Sequence, residues 1–245
     1  MAALRAVLVT GTRRIGGAIA RTLAADGYDV AVAYRSSREE ADAAAAGVRA
    51  AGRRAAVLQA DLADPAACRR LVDQAAEAVG GLSAVVLAAS RFDRIALDAL
   101  DVAAWSRALA VDLDASFHCA QAAVPHLRRA GGGHIVLFSD WVAASGRPRY
   151  RGYLPYYVAK RGVLALGEAL GLELAADRIR VHVVAPGPIV PAAGSTVEDG
   201  AKVLAATPLG HWGGEDAVAG HVSALLASTF VTGETVRIDG GRHLG

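Results

Sequence analysis

Short runs of β-branched and apolar residues alternate with amphipathic stretches along the whole chain, and this alternation restricts the fold more than any other feature. The runs are Ala6–Val9, Asp29–Tyr34, Ala55–Gln59, Ala84–Ala88, His134–Phe138, Arg180–Val184 and Val236–Ile238. The central ones are apolar almost continuously, as strands covered on both faces must be. Helices are predicted near 16–26, 38–51, 65–79, 102–130, 155–177 and 215–227. Ser37 with Glu40 predicts a capping box, and Asp64 predicts a cap just ahead of Pro65 at a first helical position. Strand–helix–strand repetition demands right-handed crossovers. It therefore predicts an α/β fold, a doubly wound parallel sheet of about seven strands with helices on both faces. Such sheets bind ligands beyond the carboxyl ends of their strands, where the strand order reverses.

The 245 residues fit one such domain, spanning 1–245. The stretch 186–213 has no strand pattern but carries Pro186, Pro188, Pro191, Gly194, Pro208 and Gly213, so it is expected to be a substrate-binding loop or lid. A formal net charge of +2 gives no field for nucleic acid or a membrane surface. Cys68 and Cys119 match no metal or redox spacing and read as buried, reduced thiols. No apolar stretch is long enough to span a bilayer, and a glycine-rich turn rather than a cleavage site follows the first apolar run. The expectation is a cytoplasmic protein with a small-molecule substrate, no metal, and no nucleic-acid or membrane partner.

Directly after the first run comes Thr10-Gly11-Thr12-Arg13-Arg14-Ile15-Gly16-Gly17, then an amphipathic helix. Glycine there permits a tight turn and close approach of the backbone to a pyrophosphate, whose charge suits a helix N-terminus. The end of the second run discriminates between dinucleotides. An NAD site would place a carboxylate there for the ribose hydroxyls. The sequence instead reads Tyr34-Arg35-Ser36-Ser37, with no acid before Glu39. Arg35, the two serines and Arg14 suit a 2′-phosphate, so NADP(H) is the expected cofactor. Asp61-Leu62, after the third run, is placed either to meet an adenine edge or to form a plain helix-entry turn.

Tyr156 and Lys160 lie one helical turn apart and project from the same face. A phenol of pKa about 10 is a poor acid or base at neutral pH. A neighbouring ammonium is expected to lower that value and make proton exchange practicable.

With these motifs the chain resembles the short-chain dehydrogenase/reductase family over nearly its full length. The resemblance rests on the phosphate turn, Asp61, the end of the fifth strand, Tyr156/Lys160, Pro186-Gly187 and Asp239-Gly240-Gly241. It implies a Rossmann-type fold in which Tyr156 donates a proton and Lys160 also holds the nicotinamide ribose. It further implies cofactor contacts from Gly11, Arg13, Arg14, Ile15 and Gly16, from Arg35, Ser36 and Ser37, and from Asp61 and Leu62. Ala88, Ala89 and Ser90 after the fourth strand, and Pro186, Gly187 and Ile189 after the sixth, complete that set.

Several positions depart from the family pattern. Asp140 stands at the usual serine, Asp112 at the helix asparagine, Leu87-Ala88-Ala89-Ser90 at Asn-Asn-Ala-Gly, and Arg14 at the middle glycine of the phosphate turn. Arg14, Asp140 and the Ala-Ser-x-Phe sequence resemble pteridine and dihydromonapterin reductases. That likeness implies that Phe92 stacks a substrate ring, that Ser90 and Arg14 reach its polar edge, and that Asp140 and Tyr156 share the proton supply. A carboxyl group can support protonation of a ring nitrogen in a way that serine cannot. The leading expectation is therefore an NADPH-dependent reductase of a pterin-like or other cyclic C=N substrate. The alternatives are a ketone or 3-oxoacyl reductase, and a dinucleotide-binding protein impaired in catalysis. Family members commonly assemble as tetramers through long helices, which implies a homotetramer or a dimer here, with the tail Arg242-His243-Leu244-Gly245 reaching a neighbouring active site.

Overall fold

The computed structural model describes residues 4–191 and 194–245. Seven strands form one sheet: β1 (Ala6–Thr10), β2 (Asp29–Tyr34), β3 (Ala55–Gln59), β4 (Ala84–Leu87), β5 (Gly133–Phe138), β6 (Ile179–Pro186) and β7 (Glu234–Ile238). Their order is β3-β2-β1-β4-β5-β6-β7, and every pairing is parallel. Each predicted strand is present. The order reverses between β1 and β4, whose carboxyl ends, Thr10 and Leu87, lie side by side in register.

The sheet is held by side chains that alternate between two apolar layers. Ala6 and Leu8 of β1 join Ile135, Leu137, Val181 and Val183 in the layer covered by α3 (Pro65–Val79), by α5 (Ala115–Arg129) and by α7 (Leu154–Glu173). Val7 and Val9 join Val136 and Val184 beneath α1 (Gly17–Ala25), α2 (Arg38–Ala50) and α9 (Glu215–Ala227). Each fully buried Leu or Ile contributes about 1.5–3 kcal/mol by leaving water, so both faces must be covered for the central strands to be stable. Among the described residues, no helix is long and apolar enough to cross a membrane.

Three local expectations are corrected. Ser37 is the N-cap of α2, but its hydroxyl makes no capping bond, and the Glu40 side chain faces Arg13 at 3.7 Å. The stretch 186–213 is not irregular throughout. It contains α8 (Val197–Ala205), started by a capping box between Thr196 and Asp199, while residues 192 and 193 lie outside the described residues. The helix expected over 102–130 is divided. α4 (Val102–Leu109) runs into a π-helical turn, Ala110–Asp114, before α5 begins. In contrast, Asp64 caps α3 as expected, accepting the Ala66 amide at 2.8 Å ahead of Pro65.

Two histidines interrupt the apolar layer on neighbouring strands. His134 Nδ1 lies 3.1 Å from His182 Nε2, and His182 is wholly buried. Burial pushes both imidazoles down to about 4, assisted at His134 by the charges of His182 and Arg180 and at His182 by that of Arg180. The folded state then binds fewer protons than the unfolded chain, whose histidines titrate near 6.5, so stability is full above that pH and is lost as pH falls toward 4. Urea denaturation is expected to show a loss of about 1–3 kcal/mol between pH 6.5 and 5. A His134→Gln/His182→Gln variant should lose most of that slope, and an unchanged slope would refute this origin.

Candidate active site

A cleft of about 590 Å3 opens across the carboxyl ends of the strands, at the reversal of strand order. Its floor at one end is the turn after β1. Gly11 has φ +76°, and a Cβ there would lie 2.8 Å from the Ala89 backbone; one on Gly16 would lie 2.1 Å from the Gly11 carbonyl oxygen. Both glycines are therefore required by close approach. Arg14 adopts φ 52° and ψ −106°, a conformation that suits glycine, in the place where the family pattern has one. Its guanidinium is exposed and donates to the Pro191 carbonyl at 3.4 Å. Arg13 and Ile15 complete this wall.

Arg35, Ser36 and Ser37 line the cleft beyond the end of β2. Among the described residues Arg35 has no acidic partner within ion-pair distance, and only its carbonyl is engaged, by Gln59 Nε2 at 2.9 Å. Asp61 and Leu62 border the cleft after β3, where Asp61 Oδ1 accepts the Ala63 amide at 3.1 Å. The helix-entry turn and the position at the cleft edge thus hold together. Ala88, Ala89 and Ser90 follow β4, with the Ala89 amide fixed by Thr10 Oγ1 at 3.2 Å. Pro186, Gly187 and Ile189 close the side after β6.

The other end of the cleft carries the ionisable groups. Tyr156 and Lys160 both face it from α7, with Lys160 Nζ 5.7 Å from the Tyr156 ring centre. Asp140 follows β5 and caps the short helix α6 (Trp141–Ala144). Its Oδ1 accepts the Val142 amide at 2.7 Å, and its Oδ2 accepts the Tyr156 hydroxyl at 2.9 Å. The residue serves both as helix cap and as partner of the tyrosine. Lys160 is buried, and its Nζ donates to the Phe138 carbonyl at 2.9 Å and lies 3.2 Å from Asp112 Oδ1. Ser139 Oγ pins the same helix by donating to the Lys160 carbonyl at 2.8 Å.

Asp112 is the one predicted site residue that does not line the cleft. It sits behind it in the π-helical turn, buried, and accepts from Ser90 Oγ and from the Arg91 amide as well as from Lys160. Ser90 lines the cleft, where it was expected to meet a substrate, and its hydroxyl donates to Asp112. Burial raises the Asp140 carboxyl above its usual range, against the opposing bonds from Val142 and Tyr156 and the charge of Lys160.

The phenol departs from expectation in sign. Burial, then the charge and hydrogen bond of Asp140, then the charge of Asp112 hold Tyr156 well above its ordinary value. These outweigh any lowering by the lysine, whose ammonium also faces Asp112 at 3.2 Å. Phe92 is half exposed at the mouth, stacked on Tyr153 with centres 4.3 Å apart and edge-on to Tyr156 at 4.9 Å. One of its faces is therefore already covered. Tyr150 and Tyr153 extend this aromatic wall, and the Tyr-x-x-Tyr-x-x-Tyr spacing before α7 was the signal that would have found them. Trp141 packs behind the wall between Arg149 and Arg242, whereas His211 and Trp212 do not line the cleft. The tail folds onto its own chain: His243 Nδ1 lies 2.8 Å from Asp239 Oδ2, and Arg149 donates to the Gly245 carbonyl.

Comparison with known proteins agrees with this geometry. The family described as enoyl-(acyl carrier protein) reductase matches residues 9–243. A 3-oxoacyl-(acyl-carrier-protein) reductase of Staphylococcus aureus is 32% identical over 98% of both chains. A cis-4-hydroxycyclohexanecarboxylate dehydrogenase of Sinomonas cyclohexanicum is 36% identical, covering 97% of this chain and 96% of that one. A short-chain dehydrogenase of Burkholderia cenocepacia in complex with NADP is 37% identical with a TM-score of 0.89, covering 98% of each chain. These likenesses do not support a special closeness to pteridine reductases. The cleft, the fold and the relatives agree on one conclusion: the chain is an oxidoreductase belonging to the short-chain dehydrogenase/reductase family.

Proposed function

We propose that the chain is an NADP(H)-dependent carbonyl reductase in which Tyr156 gives the proton to the oxygen of a small ketone or 3-oxoacyl substrate. The observation that carries this reading is the Tyr156 hydroxyl, aimed into the cleft, bonded to Asp140 and held in its protonated form by its surroundings. A protonated phenol is the species that carbonyl reduction consumes. The names of the 3-oxoacyl reductase and hydroxy-acid dehydrogenase relatives point to carbonyl–alcohol chemistry.

The residues present fit the dinucleotide. Gly11 and Gly16 leave no room for side chains in the turn that would approach a pyrophosphate, and Arg35, which has no acidic partner among the described residues, offers a cation beside Ser36 and Ser37 for a 2′-phosphate. Asp61 and Leu62 would border the adenine, and Lys160 would hold the nicotinamide ribose with its remaining donor. When bound, NADPH supplies the hydride. Tyr156 orients the carbonyl oxygen and releases its proton to it as the C–O bond becomes that of an alcohol. Asp140 accepts a hydrogen bond from the phenol and holds its hydroxyl in place.

Reduction of a cyclic C=N bond is the second reading, favoured by Asp140 alone, a carboxyl group in the place of serine whose burial favours the protonated form. Ser90 and Arg14, which that reading also requires, line the cleft, but the Ser90 hydroxyl gives its proton to Asp112. NADPH oxidation with a ketone, a cyclic imine and a dihydropterin separates the two. The expected outcome is a kcat/KM at least tenfold higher for the ketone, and preference for either nitrogen substrate would overturn the carbonyl reading. Tyr156→Phe should lower kcat about 10²–10⁴-fold while leaving NADPH affinity within a factor of a few. Arg35→Asp should weaken NADPH binding at least tenfold relative to NADH, and an unchanged ratio would remove Arg35 from the phosphate site.

A further inference from the structure

Asp112 contributes nothing to the wall of the cleft, yet it is 1% exposed and accepts from three donors on two separate elements. The Ser90 hydroxyl and the Arg91 amide come from the segment after β4, and the Lys160 ammonium comes from α7. The carboxylate is presented by a π-helical turn between α4 and α5, the type of local irregularity that re-aims a side chain at a functional position. The Arg91 guanidinium does not take part, since it pairs with Asp93.

We propose that Asp112 is a positioning residue that cancels the charge of Lys160 beside Tyr156, so that the tyrosine stays a proton donor far into alkaline solution. The inference rests on the reading of Tyr156 as the acid of a carbonyl reduction, and it assigns the pH range over which that acid can work.

The argument is one of charge and distance. With an amide at 112, the ammonium would stand unopposed near the phenol and favour phenolate. With a carboxylate 3.2 Å from Nζ in a buried setting, the pair presents no net charge to the ring. The other ionisable groups that act on the phenol, Asp140 and Tyr150, are acidic. Asp140 bonds to it from the start of α6, and Tyr150 adds its own acidic hydroxyl from the segment between α6 and α7. The Phe92 ring closes the side toward β4, with Tyr153 behind it. No uncompensated cation remains among these groups to stabilise a phenolate. Lys160 then serves as an anchor, joining the end of β5 through the Phe138 carbonyl to the π-turn through Asp112.

Two measurements test this. The first needs no substrate: tyrosinate formation is followed by ultraviolet difference absorbance in the whole protein, with Tyr156→Phe subtracted to isolate the one phenol. In the native protein that phenol should ionise above the ordinary value of about 10. In Asp112→Asn, which keeps an acceptor for Lys160 and removes only the charge, it should ionise at least one pH unit lower. The second is the alkaline limb of kcat/KM for ketone reduction, which should move down by the same amount while KM at neutral pH changes less than about threefold. A native phenol titrating below pH 9, or identical titrations in the two proteins, would overturn the proposal, as would an alkaline limb that stays in place. Should Asp112→Asn not fold, Asp112→Ser is titrated in its place, with the same downward shift expected and an unchanged titration again overturning the proposal. If no ketone is reduced, the carbonyl reading fails while the titration continues to judge the role of Asp112.

Discussion

A buried ammonium has to find its partners inside the protein, and the arrangement around Lys160 depends on that requirement. The side chain is almost wholly enclosed, with one bond to the Phe138 carbonyl and an ion pair to Asp112. Removing one member of such a pair leaves the other as an uncompensated buried charge, which costs about 3–5 kcal/mol in general. The pair therefore fixes three elements together: the end of β5, the π-turn between α4 and α5, and the first turns of α7. Tyr156 is one turn before Lys160 on the same helix, so its place in the cleft follows from that anchor. Ser139 reinforces it from the strand side through the Lys160 carbonyl.

The same constraint explains which parts of the molecule could be read from sequence. The parallel sheet was legible because strands buried on both faces must be apolar at successive positions, as in Ala6–Thr10 and Asp29–Tyr34. The Tyr156/Lys160 spacing was legible because it is a property of one helix. The electrostatic state of Tyr156 was not, because it depends first on burial and on the hydrogen bond to Asp140, which only the fold brings to the phenol. Local rules failed where a tertiary partner competed. Ser37 and Glu40 have capping-box spacing, but Arg13 reaches Glu40; the box forms at Thr196 and Asp199 instead, in a stretch whose prolines and glycines suggested a loop.

The turn after β1 shows a similar competition between local strain and tertiary need. Arg14 holds a positive φ, and non-glycine residues in sparsely populated backbone regions cost of the order of 1–3 kcal/mol. The Arg14 side chain is exposed in this conformation, and its guanidinium reaches across to the Pro191 carbonyl. That bond ties the cofactor side of the cleft to the segment leading into α8. The two sides are thus coupled through a residue that a more common glycine would leave uncoupled.

Asp140 gives the site its second departure, and its two oxygens have different duties. One caps α6 and the other takes the tyrosine proton in a hydrogen bond. A serine hydroxyl carries its own proton and can donate to a substrate oxygen at any pH, whereas an ionised carboxylate can only accept. Asp140 can therefore assist a developing alcohol only when it is itself protonated, and burial raises its pKa in the direction that favours this form. The proton that leaves Tyr156 would otherwise create a phenolate between two carboxylates, with Lys160 already satisfied by Asp112. A proton from solvent has to replace the one given to the substrate. A lysine paired with Asp112 and a carboxyl group in place of serine thus act in the same direction, since both disfavour phenolate at Tyr156.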